Sequence, residues 1–409
     1  MKPNKDQQKA VTHIYENEGT FLVAPMGSGK TVTALTAIHE LLRDEVVTRV
    51  LIVSTKRICN EVWPAEPAKW PHLSVQVTAC TGTPAQRLNV LQSPEAVVAV
   101  NFENLAWLMA QKESKTFDML VIDESTKMKS NGAATKAVRH KLKQFVVRLA
   151  MTGTPVSENL EQLFYQVMLV DGGAAFGKNF TKFKHAYYDQ DPYAEYQWEM
   201  KQGAEDDMID KIKHLVVTLP EYSADLPKLT EKVCRVELPP MARLTYDRME
   251  KDMIVDGIVA VNAAVLVNKL QQIACGFAYD ENHDVSMFHL EKLSLAESMA
   301  GPPTVWIYQF DWEKTMLKEF VNESQDMILH PKSAGHGLDL TSYAQMVFMS
   351  PVWSRDLTRQ CIARIWRRGQ VNPCSVYTLI GADTVEEEIV RREEGKATHH
   401  EILMGRLSK

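Results

Sequence analysis

The sequence has no long hydrophobic run. No stretch of its 409 residues approaches the roughly 20 consecutive apolar residues that a membrane-spanning helix needs. The N-terminal segment Met1–Gln8 is polar and lacks the apolar centre of a secretory signal. We therefore expect neither a membrane-spanning helix nor a membrane partner.

Cysteine is scarce and scattered along the chain. No two of the six form a Cys-x-x-Cys pair; they are Cys59, Cys80, Cys234, Cys275, Cys361 and Cys374. This spacing argues against a disulfide scaffold and a clustered zinc site, and it is typical of the reducing cytoplasm. We expect a cytoplasmic globular protein, in keeping with 45% hydrophobic and 24% charged residues.

An excess of positive charge is also lacking, since the formal net charge is −6. Contact with nucleic acid depends on local patches, however, and two segments are basic. Seven Lys or Arg and no acidic residue lie between Thr126 and Arg148, and five Arg with one Asp lie between Arg355 and Arg368. For the first segment, a solvated surface is about as good an explanation as a binding surface.

Apolar strands alternate with helical patterns along most of the chain. Six strands are predicted in the first half, at 21–24, 50–54, 75–79, 96–100, 119–122 and 147–151. Helical patterns dominate 157–227, a long helical run covers 240–273, and strands return at 305–308, 327–329, 346–349 and 376–379. This predicts an α/β fold with two parallel-sheet domains, at 1–156 and 239–409, and a helical insertion at 157–238.

A phosphate-binding loop is predicted between the first strand and the following amphipathic helix. Its residues are Ala24-Pro25-Met26-Gly27-Ser28-Gly29-Lys30-Thr31. The two glycines let successive backbone N–H groups converge on phosphate oxygens at the positive end of the helix. Lys30 can reach the β and γ oxygens, and the Thr31 hydroxyl can hold Mg²⁺. The chain is therefore predicted to bind a nucleoside triphosphate, although Ala24 stands where the strict pattern has Gly.

Two carboxylates end the apolar strand that finishes at Ile122. Asp123 is expected to bind Mg²⁺ directly or through water, and Glu124 to polarise a water for attack on the γ-phosphorus. With Lys30, this pair predicts a hydrolase rather than a simple nucleotide-binding protein. The segment Met151–Pro155 exposes Thr152 and Thr154 at another strand end, where they could link the state of the γ-phosphate to a neighbouring surface. A plain turn explains this segment equally well.

An arginine-rich helix is predicted in the second half. Gln360, Arg364 and Arg367 fall on one helix face, at i, i+4 and i+7. An arginine that reaches a γ-phosphate from a second domain stabilises the charge of the transition state. The preceding segment Lys332–Leu340 is rich in small residues, which permit a close approach of backbone to a phosphate.

In combination, these segments resemble the superfamily-two helicase-like ATPases, and within them the Swi/Snf-type DNA translocases. The resemblance covers nearly the whole chain, and its segments occur in the family's order. They are Asp6–Ala10, Ala24–Thr31, Leu51–Lys56, Asn101–Leu105, Asp123-Glu124, Met151–Pro155, Asn268–Gly276, Ala334–Thr341, Pro351–Trp353, Gln360–Gln370, Val376-Tyr377 and Thr384–Glu387. In this family, Ala is common at the first position of the phosphate loop.

The resemblance implies two RecA-like domains with helical protrusions and an ATP site in the cleft between them. ATP and Mg²⁺ are the implied cofactors, with Lys30, Asp123, Glu124, Arg364 and Arg367 in catalysis. Nucleotide contacts are implied at Gln7, which would read the adenine, and at Met26, Gly27, Ser28, Gly29, Lys30, Thr31, Gly337 and Asp339. Nucleic-acid contacts are implied at Lys56, Arg57, Asn101, Thr152, Lys332, Ser333 and Trp353.

Three residues depart from the family pattern. Ser125 and Thr126 follow the Asp123-Glu124 motif and stand where a small residue and a His are usual. Coupling of the Asp123-Glu124 motif to its neighbours is therefore expected to run through Ser125 or Thr126. Asp339 stands where Asn is usual.

The resemblance also implies a partner and a kind of activity. Duplex or branched DNA is the implied track, with translocation or remodelling, and we expect a monomer. The compact chain suggests a bacterial or phage protein. An RNA or single-strand helicase is the alternative, and a catalytically silent nucleotide-gated binding module is a weaker one.

Overall fold

The computed structural model describes residues 2–156, 159–190, 198–220, 226–255, 258–334, 338–367 and 369–391. These residues form two units, one within residues 2–220 and the other within residues 226–391. Each unit is built on its own parallel sheet.

The first unit's sheet consists of short apolar strands whose residues are nearly all buried. Its strands and the small hairpin β7–β8 are β1 Gly19–Val23, β2 Val50–Ser54, β3 Thr78–Ala79, β4 Val97–Asn101, β5 Met119–Asp123, β6 Val147–Thr152, β7 Tyr188–Gln190, β8 Trp198–Met200 and β9 Val216–Thr218. The sheet order is β3-β4-β2-β5-β6-β1-β9, and all its pairs are parallel. Continuous apolar strands are typical of a parallel sheet with both faces covered.

Helices cover this sheet and connect its strands. They are α1 Lys5–Glu16, α2 Lys30–Arg43, α3 Trp63–Ala65, α4 Pro84–Gln92, α5 Phe102–Ala110, α6 Ala133–Arg139, α7 Leu163–Asp171, α8 Phe180–Tyr187 and α9 Ala204–Ile212. The α7 side chains from Leu163 to Val170 are all buried, and together with aromatic residues of α8 they cover β1 and β6.

The second unit has a five-stranded parallel sheet. Its strands, with two small hairpins, are β10 Leu229–Val236, β11 Ile254–Val255, β12 Ile258–Val259, β13 Phe277–Tyr279, β14 Val285–Met287, β15 Thr304–Ile307, β16 Met327–Leu329, β17 Gln345–Phe348 and β18 Cys374–Gly381. The sheet order is β10-β18-β17-β15-β16. Its helices are α10 Pro240–Asp252, α11 Ala263–Ala274, α12 Glu291–Ser298, α13 Asp311–Leu317, α14 Pro331–Ala334 and α15 Arg355–Ile365, and residues 385–391 are also helical.

The predicted fold class, α/β with two parallel sheets, is confirmed. The structure differs from the sequence prediction in three places. Strand β9 joins the first sheet from a region predicted to be helical, and β10, expected within the insertion that ends at residue 238, belongs to the second sheet. Strand β10 is an exposed edge strand with charged residues, so it lacks the apolar run that marked the others. The helical run at 240–273 is two helices, separated by the hairpin β11–β12.

No helix in the described ranges is both long and apolar enough to cross a membrane.

A buried ion pair holds α12 of the second unit to the segment that follows β18. The Lys292 ammonium lies 2.6 Å from each carboxylate oxygen of Glu386, and these side chains are 2% and 0% exposed. The Gly381 N–H also donates to Glu386, at 2.7 Å. Removal of one charge from such a pair would leave the other buried and uncompensated.

We expect Glu386→Gln to destabilise the second unit by about 3 kcal/mol, because it leaves the Lys292 charge buried without its partner. The matched control is Glu387→Gln, which breaks the more exposed pair with Arg235 and is expected to cost less than about 1 kcal/mol. Urea unfolding followed by hydrogen exchange in β18 measures both. Equal losses in the two variants would contradict the prediction.

Candidate nucleotide site and arginine helix

The predicted phosphate loop of the first unit joins β1 to α2 and ends in two left-handed glycines. Gly27 has φ +77° and Gly29 has φ +89°, backbone conformations that strain any other residue. Gly29 is also the N-cap of α2, so the loop leads directly to the positive end of a 14-residue helix. This is the geometry of a phosphate site.

Gln7 of α1 packs against this loop. Its Nε2 donates to the Ser28 carbonyl oxygen at 2.9 Å, and its Oε1 accepts from the Asn4 N–H at 2.9 Å within the capping box of α1. A Cβ on Gly29 would lie only 2.2 Å from Gln7 Nε2. Gly29 is therefore required for its conformation and for the close approach of Gln7.

Lys30 lies beside the turn that follows β6. Its Nζ donates to the Ala24 carbonyl oxygen at 2.7 Å, and a Cβ built on Gly153 would be 3.6 Å from this Nζ. The phosphate-loop lysine and the Thr152–Pro155 turn are thus neighbours.

The parallel register brings Asp123 to the same edge of the sheet. Val23 pairs with Thr152, and Asp123 pairs with Met151, so β1, β6 and β5 end within one residue of each other. Strand β6 lies between the other two, which places the ends of β1 and β5 two strand spacings, or about 10 Å, apart. A lysine side chain and a bound ion can span this distance.

Asp123 is held by two donors from other elements. Ser54 Oγ at the end of β2 donates to its Oδ2 at 2.9 Å, and Trp63 Nε1 donates to the same oxygen at 3.2 Å. Burial and the neighbouring Glu124 charge raise the pKa of Asp123 to about 6, against the opposing effects of Lys30, Ser54 and Trp63. Both donors use Oδ2, so neither of them occupies Oδ1, which can ligate a cation or a water.

Glu124 has a backbone conformation that is rare outside glycine, with φ +59° and ψ 60°. It precedes the 3₁₀ turn Ser125–Met128. A non-glycine residue in this region costs on the order of 1 kcal/mol or more, and such strain is concentrated at functional sites. The strained conformation lies at Glu124 itself, directly after β5.

In the second unit, α15 ends at Ile365 with the non-helical C-cap Trp366. The prediction of one helix face is therefore correct for Gln360 and Arg364 but wrong for Arg367, which lies just after the helix. The end of α15 lies next to the loop that carries Asp339. The Leu340 N–H donates to the Arg364 carbonyl oxygen at 3.1 Å, which fixes the loop against the end of α15. Partial burial acts to raise the pKa of Asp339, but two hydrogen bonds from Thr341 and the charges of Arg367 and Arg364 bring it below its usual value. Within the described part of the chain, the buried Nε of Arg367 has no hydrogen-bond partner. Gly337 lies outside the described residues.

The SNF2-related domain family matches residues 7–285. The chain belongs to this family. It is therefore a helicase-like ATPase of the SNF2 type. Its second unit continues beyond the matched residues and carries the arginine helix.

Individual relatives are similar to most of this SNF2-family chain. Protein p41 of Acyrthosiphon pisum secondary endosymbiont phage 1 is 28% identical, with 98% of each chain covered. An ATP-dependent helicase of Mycoplasma genitalium is 23% identical, with 97% of this chain and 41% of that protein covered. The DNA repair and recombination protein RAD54 of Saccharomyces cerevisiae is 20% identical, with 96% and 55% covered. The chain spans about half the length of these two longer relatives.

The chain is also similar to a solved structure. The SWI2/SNF2 ATPase core of Sulfolobus solfataricus in complex with dsDNA matches at a TM-score of 0.47 and 18% identity, over 98% of this chain and 92% of that one.

The residues predicted to contact nucleic acid fall into two groups in this SNF2-family chain. Exposed or half-buried positions are Lys56, Arg57, Lys332, Ser333 and Trp353. Trp353 is 40% exposed, and its Nε1 donates to Gln271 Oε1 at 3.2 Å, which fixes the ring.

Asn101 and Thr152 differ from the expectation. Asn101 is 4% exposed and bonded to Glu103 and Asn104, and Thr152 is fully buried and accepts from the Thr154 N–H. Because these side chains are used within the first unit, direct contact with DNA is not proposed for them.

Two residues that hold the site were missed by the sequence reasoning. Ser54 lies at the end of β2, within the segment Leu51–Lys56 that carries the family resemblance, and nothing in that segment indicates a support for Asp123. Trp63 lies in the distorted helical segment after β2, and no spacing links it to Asp123. Only the fold brings these donors to the carboxylate.

We expect Gly29→Ala to lower ATP turnover on the order of a hundredfold, because the methyl group displaces Gln7 and the loop by about 1 Å or more. The matched control is Gly203→Ala, at a left-handed helix N-cap with φ +76° and nothing within 4 Å of a Cβ. The control separates backbone strain from the clash, and it should lose about 1 kcal/mol of stability with normal turnover. Steady-state ATPase assays and thermal unfolding measure both. Equal turnover in the two variants would contradict this role for Gly29.

Proposed function

We propose that this SNF2-family ATPase hydrolyses Mg-ATP to move along or remodel duplex or branched DNA. The observation that carries the proposal is the convergence at one sheet edge of the phosphate loop, Lys30 and the carboxylates Asp123 and Glu124. The close approach of Gln7 to Gly29, which a Cβ would block, supports a backbone cradle for phosphates.

The donor set at this edge fits Mg²⁺. Asp123 Oδ1 and the Thr31 hydroxyl are the hard oxygen ligands that this ion prefers. When bound, the ion neutralises charge that develops on the phosphate oxygens. Ser54 and Trp63 keep Asp123 in a fixed orientation, as outer-shell donors do for metal-binding carboxylates.

Each remaining residue has a separate role in the proposed reaction. Lys30 and the N–H groups of the loop bind the phosphates, and Glu124 orients the attacking water and accepts its proton. Gln7 retains one N–H and one lone pair on its amide, enough to recognise an adenine edge while it stays bonded to Asn4 and Ser28.

Arg364 and Arg367 of the second unit are proposed to stabilise the transferring phosphoryl group. Asp339, whose pKa both arginines lower, offsets part of their charge within the unit. An anion bound here would meet Arg364 in the last turn of α15 and Arg367 just after the helix, the two arginines that lie near Asp339. Hydrolysis would then depend on both units.

DNA is proposed as the partner on the strength of the relatives and the exposed basic positions. RAD54 is named as a DNA repair and recombination protein, and it matches 96% of this chain. Lys56 and Lys332 are exposed, and a cation at either position could bind a backbone phosphate without reading sequence. Trp353 offers an apolar surface for a sugar or base.

The proposal is tested by the ATPase rate without nucleic acid and with duplex, branched DNA, single strands or RNA. Stimulation by duplex or branched DNA, lost as salt rises, supports a phosphate-tracking DNA motor. Stimulation by single strands or RNA alone would favour the alternative helicase. ATP binding without hydrolysis under every condition would indicate a nucleotide-gated binding module.

We expect Lys30→Ala and Glu124→Gln both to abolish turnover but to differ in ATP binding. Loss of Lys30 removes a phosphate contact and weakens binding, whereas Glu124→Gln keeps the shape and loses the base, with a rate loss of about 10²-fold or more. Equilibrium binding of ATP and single-turnover hydrolysis distinguish them. Hydrolysis at the wild-type rate in Glu124→Gln would show that another group activates the water.

We expect Arg367→Ala to bind ATP and DNA normally and to lose DNA-stimulated hydrolysis, on the order of 10³-fold. The charge acts on the transition state, so kcat falls while KM for ATP changes little. Arg364→Ala shows how the two arginines share the role. Arg359→Ala, in the preceding helix α15, is the matched control, since Arg359 pairs at the surface with Glu231. A raised KM with unchanged kcat would instead make Arg367 a ground-state nucleotide ligand.

A further inference from the structure

Ser125, which follows the proposed catalytic Glu124, is tied to a distant glutamine. Its side chain is fully buried, and its Oγ donates to Gln166 Oε1 at 2.7 Å. Gln166 lies in α7 and is also fully buried. A buried polar contact of this kind is worth more than an exposed one, because neither group can turn to water instead.

The other end of the same amide is tied to the turn after β6. Gln166 Nε2 donates to the Pro155 carbonyl oxygen at 2.8 Å and to the Gln162 carbonyl oxygen at 2.9 Å. These two acceptors fix the orientation of the amide, since a flipped amide would place Oε1 against both carbonyl oxygens. Both N–H groups are used, and Gln166 therefore has a single hydrogen-bonded arrangement.

The two segments joined by Gln166 border the nucleotide site from different strands. One contains the strained Glu124 at the end of β5, and the other contains Gly153, which lies beside Lys30 Nζ. Besides the ladder between β5 and β6, Gln166 provides a side-chain link between these segments beyond the strand ends.

We propose that Gln166 is a positioning residue for Glu124, which it holds in register with the Thr152–Pro155 turn through Ser125 on one side and Pro155 on the other. This inference rests on the proposed ATP hydrolysis. The hydrogen bonds of the Gln166 side chain go to Ser125, Pro155 and Gln162 and not to the carboxylates of Asp123 and Glu124. Gln166 therefore acts by fixing the segment that carries Glu124. It also gives a concrete route for the coupling that was expected to run through Ser125 or Thr126.

The decisive variant is Ser125→Ala, which cuts the link to Glu124 and leaves Gln166 bonded to Pro155 and Gln162. We expect kcat for ATP to fall about tenfold to a hundredfold, because small displacements of a catalytic group have effects of this size. KM for ATP should stay near the wild-type value, since the phosphate loop is unchanged. This split between kcat and KM is not expected from a loss of stability alone.

Ser114→Ala is the matched control. Ser114 is fully buried in the same unit, and its Oγ donates to the Gln111 carbonyl oxygen at 2.8 Å and accepts from Lys141 Nζ at 2.8 Å. The substitution removes at least as many hydrogen bonds but touches neither segment of the site. It should lower the melting temperature and leave kcat unchanged.

Gln166→Leu and the double variant with Ser125→Ala complete a mutant cycle. If the Ser125 hydroxyl, the Gln166 amide and the Pro155 carbonyl act as a unit, kcat of the double variant is only slightly lower than kcat of Ser125→Ala. Should Gln166→Leu fail to fold, because it removes the hydrogen bonds to the Pro155 and Gln162 carbonyl oxygens, Ser125→Ala and its control decide alone. Normal kcat in Ser125→Ala, or a fall no greater than in Ser114→Ala, would overturn the positioning role. If the wild-type chain itself hydrolyses no ATP with any nucleic acid, the proposed function fails and this inference falls with it.

Discussion

The pairing of β6 between β1 and β5 is the constraint on which the candidate site depends. Parallel strands end at a common edge, and the observed register aligns Val23, Thr152 and Asp123 to within one residue. A slip of two residues in either pair would move Asp123 nearly 7 Å along its strand, and a slip of one would turn its side chain to the other face. The buried apolar faces of all three strands oppose such slips, so core packing and the site share one cause.

Side chains outside the phosphate loop fix the positions of the groups at this edge of the sheet. Ser54 and Trp63 hold one oxygen of Asp123, and Gln166 joins the segments after β5 and β6. The strained backbone of Glu124 is consistent with this support, because an unfavourable φ persists only where its surroundings determine it. The site is thus held by donors from β2, α3 and α7, none of which belongs to the phosphate loop.

The sequence was sufficient for features that are local. Alternating strands, the glycine loop and the two carboxylates each depend on a few neighbouring residues, and the strands predicted in the first half all lie in the observed sheet. Strand β10 was missed because this exposed edge strand lacks an apolar run, and β9 was missed because its three residues are too few to show a pattern. Trp63 and Gln166 were missed for a different reason: each is 40 or more residues from the group it supports, and a lone Trp or Gln in a helix carries no signal of its partner.

In the second unit, the role of Asp339 depends on the residues around it. From the sequence, Asp339 was expected to contact the nucleotide, yet a carboxylate by itself would repel a phosphate. The structure places it where Arg364 and Arg367 lower its pKa, with Thr341 as a double donor, so it remains charged and attracts the two arginines. An incoming γ-phosphate would then compete with Asp339 for these guanidinium groups. Since the phosphate carries more negative charge than one carboxylate, and this charge increases on the leaving oxygen during transfer, the arginines gain most from leaving Asp339 in the transition state. On this argument we propose that Asp339 is a counter-ion of Arg364 and Arg367.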